Sequence, residues 1–177
     1  MAKYTGGSNY TAKIKKMGPE IVKQVGAALF AAGEMVQVDA QISITDGSVS
    51  GKSHKPSKAG TAPNNDTGFL ANSIETVQKS PLVVEVSANA PYAAIHEYGG
   101  TINHPGGTAY FIGDDGMAVF VPDSNILSTY LPRTKPHTIV MPERPYMRPA
   151  LEKNRVEIAK MITAAVNRAE KAAGNGS

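Results

Sequence analysis

The sequence predicts an α+β fold: a small, largely antiparallel sheet flanked by a long N-terminal helix and a C-terminal helix, with a short helix inserted. Three observations predict it. Apolar residues recur every three or four positions from about 11 to 44 and again from 151 to 169, the period of a helix face. Between them they alternate, or gather in short runs set off by Gly, Pro and Asp, as strands do. No internal repeat is present, which excludes a solenoid. With 177 residues the chain holds one domain with a real core, so 1–177 is read as a single domain.

The first helix carries Ile14, Met17, Ile21, Val25, Leu29, Ala32, Val36 and Ala40 on one face. Thr11 is placed to cap it, whereas Gly18-Pro19 interrupts its first turns, so it begins at Pro19 or bends there. Gly26, Ala27, Ala28, Ala31, Ala32 and Gly33 form a small-residue face that allows close approach of another backbone, in the core or between subunits. Residues 45–67, "TDGSVSGKSHKPSKAGTAPNNDT", are too polar to offset the entropy of ordering and are expected to form a flexible loop or arm. Further on, Leu82, Val84 and Val86 alternate with polar or smaller neighbours after a Lys79-Ser80-Pro81 turn, which reads as a hairpin strand.

"PYAAIHEYGG" then has Pro91 at a first-turn position and Gly99-Gly100 as a terminator, a short helix of about two turns. "TAYFIGDDGMAVFVP" places Asp115-Gly116 between two apolar runs as in a β-hairpin, and a further strand is expected at His137 to Met141. Residues 101–136 are read as an inserted hairpin and loop. The last helix carries Leu151, Ile158, Ile162, Ala165, Val166 and Ala169, with Pro149 in its first turn, and a frayed tail is expected at 172–177.

Composition removes several classes of function. Zero cysteines excludes a disulfide framework, thiolate zinc sites and cysteine nucleophiles. A net charge of +3 is too mild, and the lysines too scattered apart from Lys13, Lys15 and Lys16, to indicate nucleic-acid binding, although they permit it. Neither a leader peptide nor a run of about 18 apolar residues is evident, so a cytoplasmic product with no membrane partner is expected.

Chemistry-bearing patterns are few. His96, Glu97 and His104 are the best metal-site candidates, yet the position four after His96 is Gly100 and the position two after it is Tyr98, so neither the zincin nor the facial-triad spacing is met. His54, His137 and Asp114 could still converge in space. His96 and Glu97 are otherwise expected on the polar side of the short helix, and Asp114, Asp115 and Asp123 in turns. No serine occupies a nucleophile elbow, and "GKS" at 51–53 lacks the strand and helix of a phosphate loop. No catalytic, cofactor or metal residue is assigned.

Three segments taken in order carry a resemblance. "PNNDTGFLANSI" at 63–74, "APYAAIHEYGG" at 90–100 and "MPERPYMRPALEKN" at 141–154 resemble the successive signatures of the small neck and tail-completion proteins of tailed bacteriophages, also described as virion morphogenesis or minor tail proteins. The motif residues are Gly68, Leu70, Ile74, Tyr92, Glu97, Tyr98, Gly99, Arg144, Pro145, Arg148 and Pro149. Gly68 permits the turn into Leu70 and Ile74, Tyr92 and Tyr98 are expected to anchor the short helix in the core, and Pro145 and Pro149 stiffen entry into the last helix. Arg144 and Arg148 are free to pair with Glu97 or with a neighbouring subunit's carboxylates.

The resemblance implies a non-enzymatic virion protein, a sixfold homo-oligomeric ring at the head–tail junction, assembled in the bacterial cytoplasm. Its implied partners are further copies of itself, a head-side connector or adaptor, and tail terminator or tail tube proteins, with non-specific contact to packaged DNA. No cofactor is implied. Two alternatives from other classes stay open: a metal-dependent hydrolase using His96, His104 or His137, and a small DNA-binding accessory protein.

Overall fold

A computed structural model describes residues 18–174. Helix α1 runs Pro19–Thr45, with Gly18 extended before it and proline in its opening turn, where the missing N–H leaves no bond unmade. The helix therefore starts at Pro19, and Thr11, Ile14 and Met17 lie outside the described residues. Ile21, Ala28, Ala32, Val36, Ala40 and Ile44 are its buried apolar side chains, Gly26 and Gly33 are buried too, and Val25 and Leu29 are half-buried.

Two neighbours share α1. One is the final helix, α4, Met147–Gly174; the other is the ribbon of β1, Ile74–Ser80, and β2, Val83–Ala88. The small residues make room for the ribbon. A Cβ on Gly33 would lie 2.7 Å from Thr76 Cγ2 and 2.8 Å from Val84 Cγ1, and one on Gly26 would run into the Pro81 carbonyl at the ribbon's turn. Gly26 and Gly33 thus serve packing within the chain.

The remaining elements are α2, Phe69–Asn72; α3, Ala93–Tyr98; β3, β4, β5 and β6 at Gly100–His104, Ala109–Ile112, Ala118–Val121 and His137–Met141; and short 3₁₀ turns at Gly51–Ser53 and Ile126–Thr129. All pairings are antiparallel, in three two-stranded ribbons: β1–β2, β3–β6 and β4–β5. The architecture is the expected α+β class. Strand β3 opens the segment expected to be an insertion; its "GTINH" acquires strand form from β6, with Gly100 opposite Met141 and His104 opposite His137. The hairpin around Asp115-Gly116 is present, its turn closed by Gly113 N–H to the Met117 carbonyl at 2.8 Å and by Gly116 at φ +78°.

Residues 46–68 form an irregular loop tied to the body. Asn65 N–H donates to the Ile44 carbonyl at 2.9 Å, Gly60 N–H to the Glu143 carbonyl at 2.8 Å, and Gly51 N–H to Asp66 Oδ1 at 2.9 Å.

On α4, Ala150, Asn154, Ala165 and Ala169 are buried, and Ile158, Ile162 and Val166 are half-buried. Leu151 is a correction to the expected stripe: it is exposed, because Ala150 and Asn154 turn inward instead. Buried Asn154 is satisfied by Asp39 of α1 at 2.6 Å and by the Ala150 carbonyl at 2.9 Å, and Lys153 reaches the same Asp39 at 2.9 Å. The helix continues to Gly174, and 175–177 lie outside the described residues.

The largest core cluster joins Val36, Ala40 and Ile44 of α1 to Leu70, Ala71, Ile74, Ala90, Ala93, Tyr146 and Ala150. Each of the three motif segments contributes to it. By length and composition alone α1, over Ile21–Thr45, is long and apolar enough to cross a membrane, although Lys23, Gln24, Glu34, Gln37 and Asp39 interrupt it, so the expected absence of an unbroken run of about 18 apolar residues stands for this helix. Its valine, isoleucine, leucine and phenylalanine residues supply that apolar character, and Val36 and Ile44 among them lie in the core.

Candidate functional site

The most ordered polar constellation forms where α3 meets the start of α4. A helix leaves its first N–H groups without intrahelical partners, and a carboxylate there satisfies them while favouring the helix dipole. Glu97 does this from 49 residues away. Its Oε2 accepts from the backbone N–H of Tyr146 at 2.8 Å and of Met147 at 3.0 Å, and its Oε1 from that of Arg148 at 3.0 Å. Pro149, next in line, has no N–H to satisfy, so the opening donors of α4 are fully accounted for.

Arg148 closes the joint from outside. Its Nε donates to Glu97 Oε1 at 2.9 Å, and its second nitrogen to the Glu97 carbonyl at 2.6 Å and to Glu143 Oε2 at 2.9 Å. Those hydrogen bonds to Glu143 and Glu97 raise the guanidinium's pKa further, so it stays charged. The guanidinium also lies 5.2 Å from the centre of the Tyr98 ring. Burial works to raise the Glu97 pKa, but the N–H groups of Tyr146, Met147 and Arg148 and the guanidinium outweigh it and hold the carboxyl below its ordinary range.

Tyr146 supplies the apolar half. It is 1% exposed, and its phenol donates to the Ala93 carbonyl at 3.4 Å. Burial, followed by the nearby Glu97, pushes that phenol up to about 12, so it remains a donor. Gly99 lets the strands meet: at φ +66°, a Cβ there would be 2.8 Å from both Glu143 N and Met141 O. Arg144 N–H adds a 2.7 Å bond to the His96 carbonyl, and its Nε a 3.3 Å bond to the Ser57 carbonyl.

Two placements differ from expectation. Glu97 is buried rather than on the polar side of the short helix, because Tyr146, Met147 and Arg148 provide it with four donors. Tyr98 is 68% exposed and Tyr92 also faces solvent in part; neither anchors α3 in the core, a role filled by Ala93 and Tyr146. Tyr92 instead lies at the surface between Phe69, tilted against it at 6.1 Å, and His96, edge-on at 5.6 Å. Gly68 sits at φ +81° ahead of buried Leu70 and Ile74. Pro145 is half-buried beside Tyr146 in the chain, and Pro149 is exposed.

The joint has a carboxylate, a guanidinium and a phenol, but each is consumed by structural bonds. His96 has its Nδ1 buried without a hydrogen-bond partner, and burial, then the charge of Arg144, lowers its pKa and keeps it neutral. His104 and His137 stack across the β3–β6 ribbon at 4.9 Å, with His104 Nδ1 accepting from Gly106 N–H and His137 Nδ1 next to the Lys135 carbonyl. His54 is elsewhere, against the Val49 carbonyl, and among the described residues no three acidic or histidine side chains gather as metal ligands.

What residue patterns did not reveal is the surface of the inserted ribbon. Phe111, Ile112, Met117, Val119 and Phe120 are all exposed, as are Ile126, Leu127 and Tyr130 of the following loop. The signal was available: "AYFI" and "AVFV" are apolar without alternation, so the ribbon is apolar on both faces.

These features define a non-repetitive α+β scaffold whose sequence motifs build a joint between elements. Residues 9–99, a little over half of the chain, match the family described as "Bacteriophage HK97-gp10, putative tail-component". The chain belongs to this family, and is a structural tail protein of a bacteriophage and part of the virion. No curated protein and no solved structure matches it.

Proposed function

We propose that the protein is a ring subunit at the head–tail junction, a neck or tail-completion protein that joins tail to head without catalysis. The observation that carries this is the exposed apolar surface of residues 111–130, on a family member whose polar motif residues are used up in holding α3 to α4. Single proteins rarely keep more than about 300–600 Å² of contiguous apolar surface uncovered. Closed symmetry among copies, here a sixfold ring, adds many modest contacts into a stable assembly. Its two ends meet the head-side connector or adaptor and the tail terminator or tube, and its lumen touches packaged DNA through salt-sensitive, sequence-independent contacts.

Electron microscopy of particles made without this gene tests the reading. Filled heads separate from tails, or joined to tails with defective ends, are expected. Intact virions overturn it.

A further inference from the structure

The β4–β5 ribbon ends in an acidic tip. Asp114 and Asp115 sit in its turn, both exposed, and Asp115 accepts from the Met117 N–H. A two-stranded ribbon with apolar residues on both faces is marginal by itself and is completed by something that covers it. Exposure is high along its length: Met117 68%, Phe120 59%, and nearby Tyr130 83%. The register puts Tyr110, Ile112 and Phe120 on one face of the ribbon and Phe111 and Val119 on the other, so each face offers an apolar surface of about 200–300 Å² to a partner.

A matching surface exists on the same chain. Val38 and Ile42, one turn apart on α1, are exposed, and so is Val49 just beyond the helix. The loop beside them, 46–68, carries three lysines against Asp46 and Asp66, a net charge of 3 − 2 = +1, and Asp66 is engaged by Gly51 N–H. His54 is bonded to the Val49 carbonyl, Asn64 to the Lys55 carbonyl and Asn65 to the Ile44 carbonyl, which fixes exposed Lys55 next to the end of α1, with exposed Lys58 following. Among the described residues none of Asp114, Asp115, Lys55 and Lys58 takes part in an ion pair.

We infer that the β4–β5 ribbon of one copy docks on the C-terminal end of α1 of a second copy, its Asp114-Asp115 tip against that copy's Lys55 and Lys58. Apolar faces meet apolar faces, and the unpaired charges of opposite sign fix the orientation. Since the two surfaces differ, the contact is head-to-tail, and it propagates from copy to copy until rotation closes it. This deepens the ring reading and rests on it.

The absence of cysteine makes the test direct. Met117→Cys and Val49→Cys, both at exposed positions, are purified separately, mixed and mildly oxidised. Disulfide-linked dimers are expected in the mixture at least tenfold above either variant alone. Adding Asp114→Lys and Asp115→Lys to the first partner should cut the yield tenfold, and Lys55→Glu with Lys58→Glu in the second should restore it. Equal cross-linking by one variant alone, indifference to charge reversal, or a chain that stays monomeric overturns the contact. Microscopy of the deletion separates the two ideas: defective particles with no cross-link leave the junction role standing and remove this contact, while intact virions with the cross-link do the reverse.

Discussion

Glu97 and Tyr146 are joined at 2.8 Å, carboxylate to backbone N–H, at the point where α3 meets the first turn of α4. The same carboxylate carries Met147 and Arg148, so one side chain substitutes for a local helix cap and locks two distant motif segments together. Tyr146, directly beneath, packs with α1, α2 and α3 residues in the main core. Charge and packing at this junction are one unit.

Glu97→Ala should therefore be among the most destabilising single changes in the chain. It leaves the buried Tyr146 N–H and the part-buried N–H groups of Met147 and Arg148 without their acceptor, and each buried donor left unsatisfied costs about 1–3 kcal/mol. Glu97→Gln keeps an oxygen and should cost less, about 1–3 kcal/mol. Urea unfolding of both variants checks the order; equal losses would show that the charge contributes nothing.

Stability should fall in two steps on acidification. His96 is held neutral by burial and then by Arg144, so the unfolded chain takes up the proton first; its contribution is whole above its ordinary 6.5 and declines below it. Glu97 is lowered on balance, so its contribution is whole above its ordinary 4.5 and is lost as pH falls through the lower folded value. Asp39, lowered by its bonds from Lys153 and Asn154, adds to the second step. Thermal melts from pH 7.5 to 3 should show His96→Gln removing the first step and Glu97→Gln shrinking the second.

The helices were legible because their partners are close to continuous along a face: Ile21, Val36 and Ala40, or Ala165 and Ala169, repeat at helical spacing and are buried. Asp115-Gly116 announced its hairpin in the same local way. Glu97 was not legible, since a glutamate in a short helix reads as surface until donors from 49 residues away surround it. Strand β3 was hidden for a related reason, its ladder being supplied by β6. Leu151 misled because cap geometry, which sets the rotation of α4's first turn, is invisible to periodicity.

Gly26→Ala should destabilise by about 2 kcal/mol, despite the roughly 1 kcal/mol that alanine gains over glycine in a helix interior. The added methyl meets the Pro81 backbone carbonyl, which moves only if the ribbon turn moves. Gly33→Ala meets Thr76 Cγ2 and Val84 Cγ1 on stiff β-branched side chains, but no backbone atom, so its net cost should be smaller, about 1 kcal/mol. Reversal of this order in chemical denaturation would mean that the ribbon does not press on α1 as described.

Phe120→Ser combined with Ile112→Thr separates surface from core at the inserted ribbon. Both residues are about 60% exposed, and exposed substitutions away from caps and cavities shift stability by no more than about 0.5 kcal/mol. Self-association, by contrast, depends on the apolar area these side chains present, so sedimentation should show a shift toward monomer while the melting temperature stays within a few degrees. A large drop in melting temperature would mean that the ribbon is folded into the domain's core, and that its apolar faces are covered by the chain itself rather than by an assembly partner.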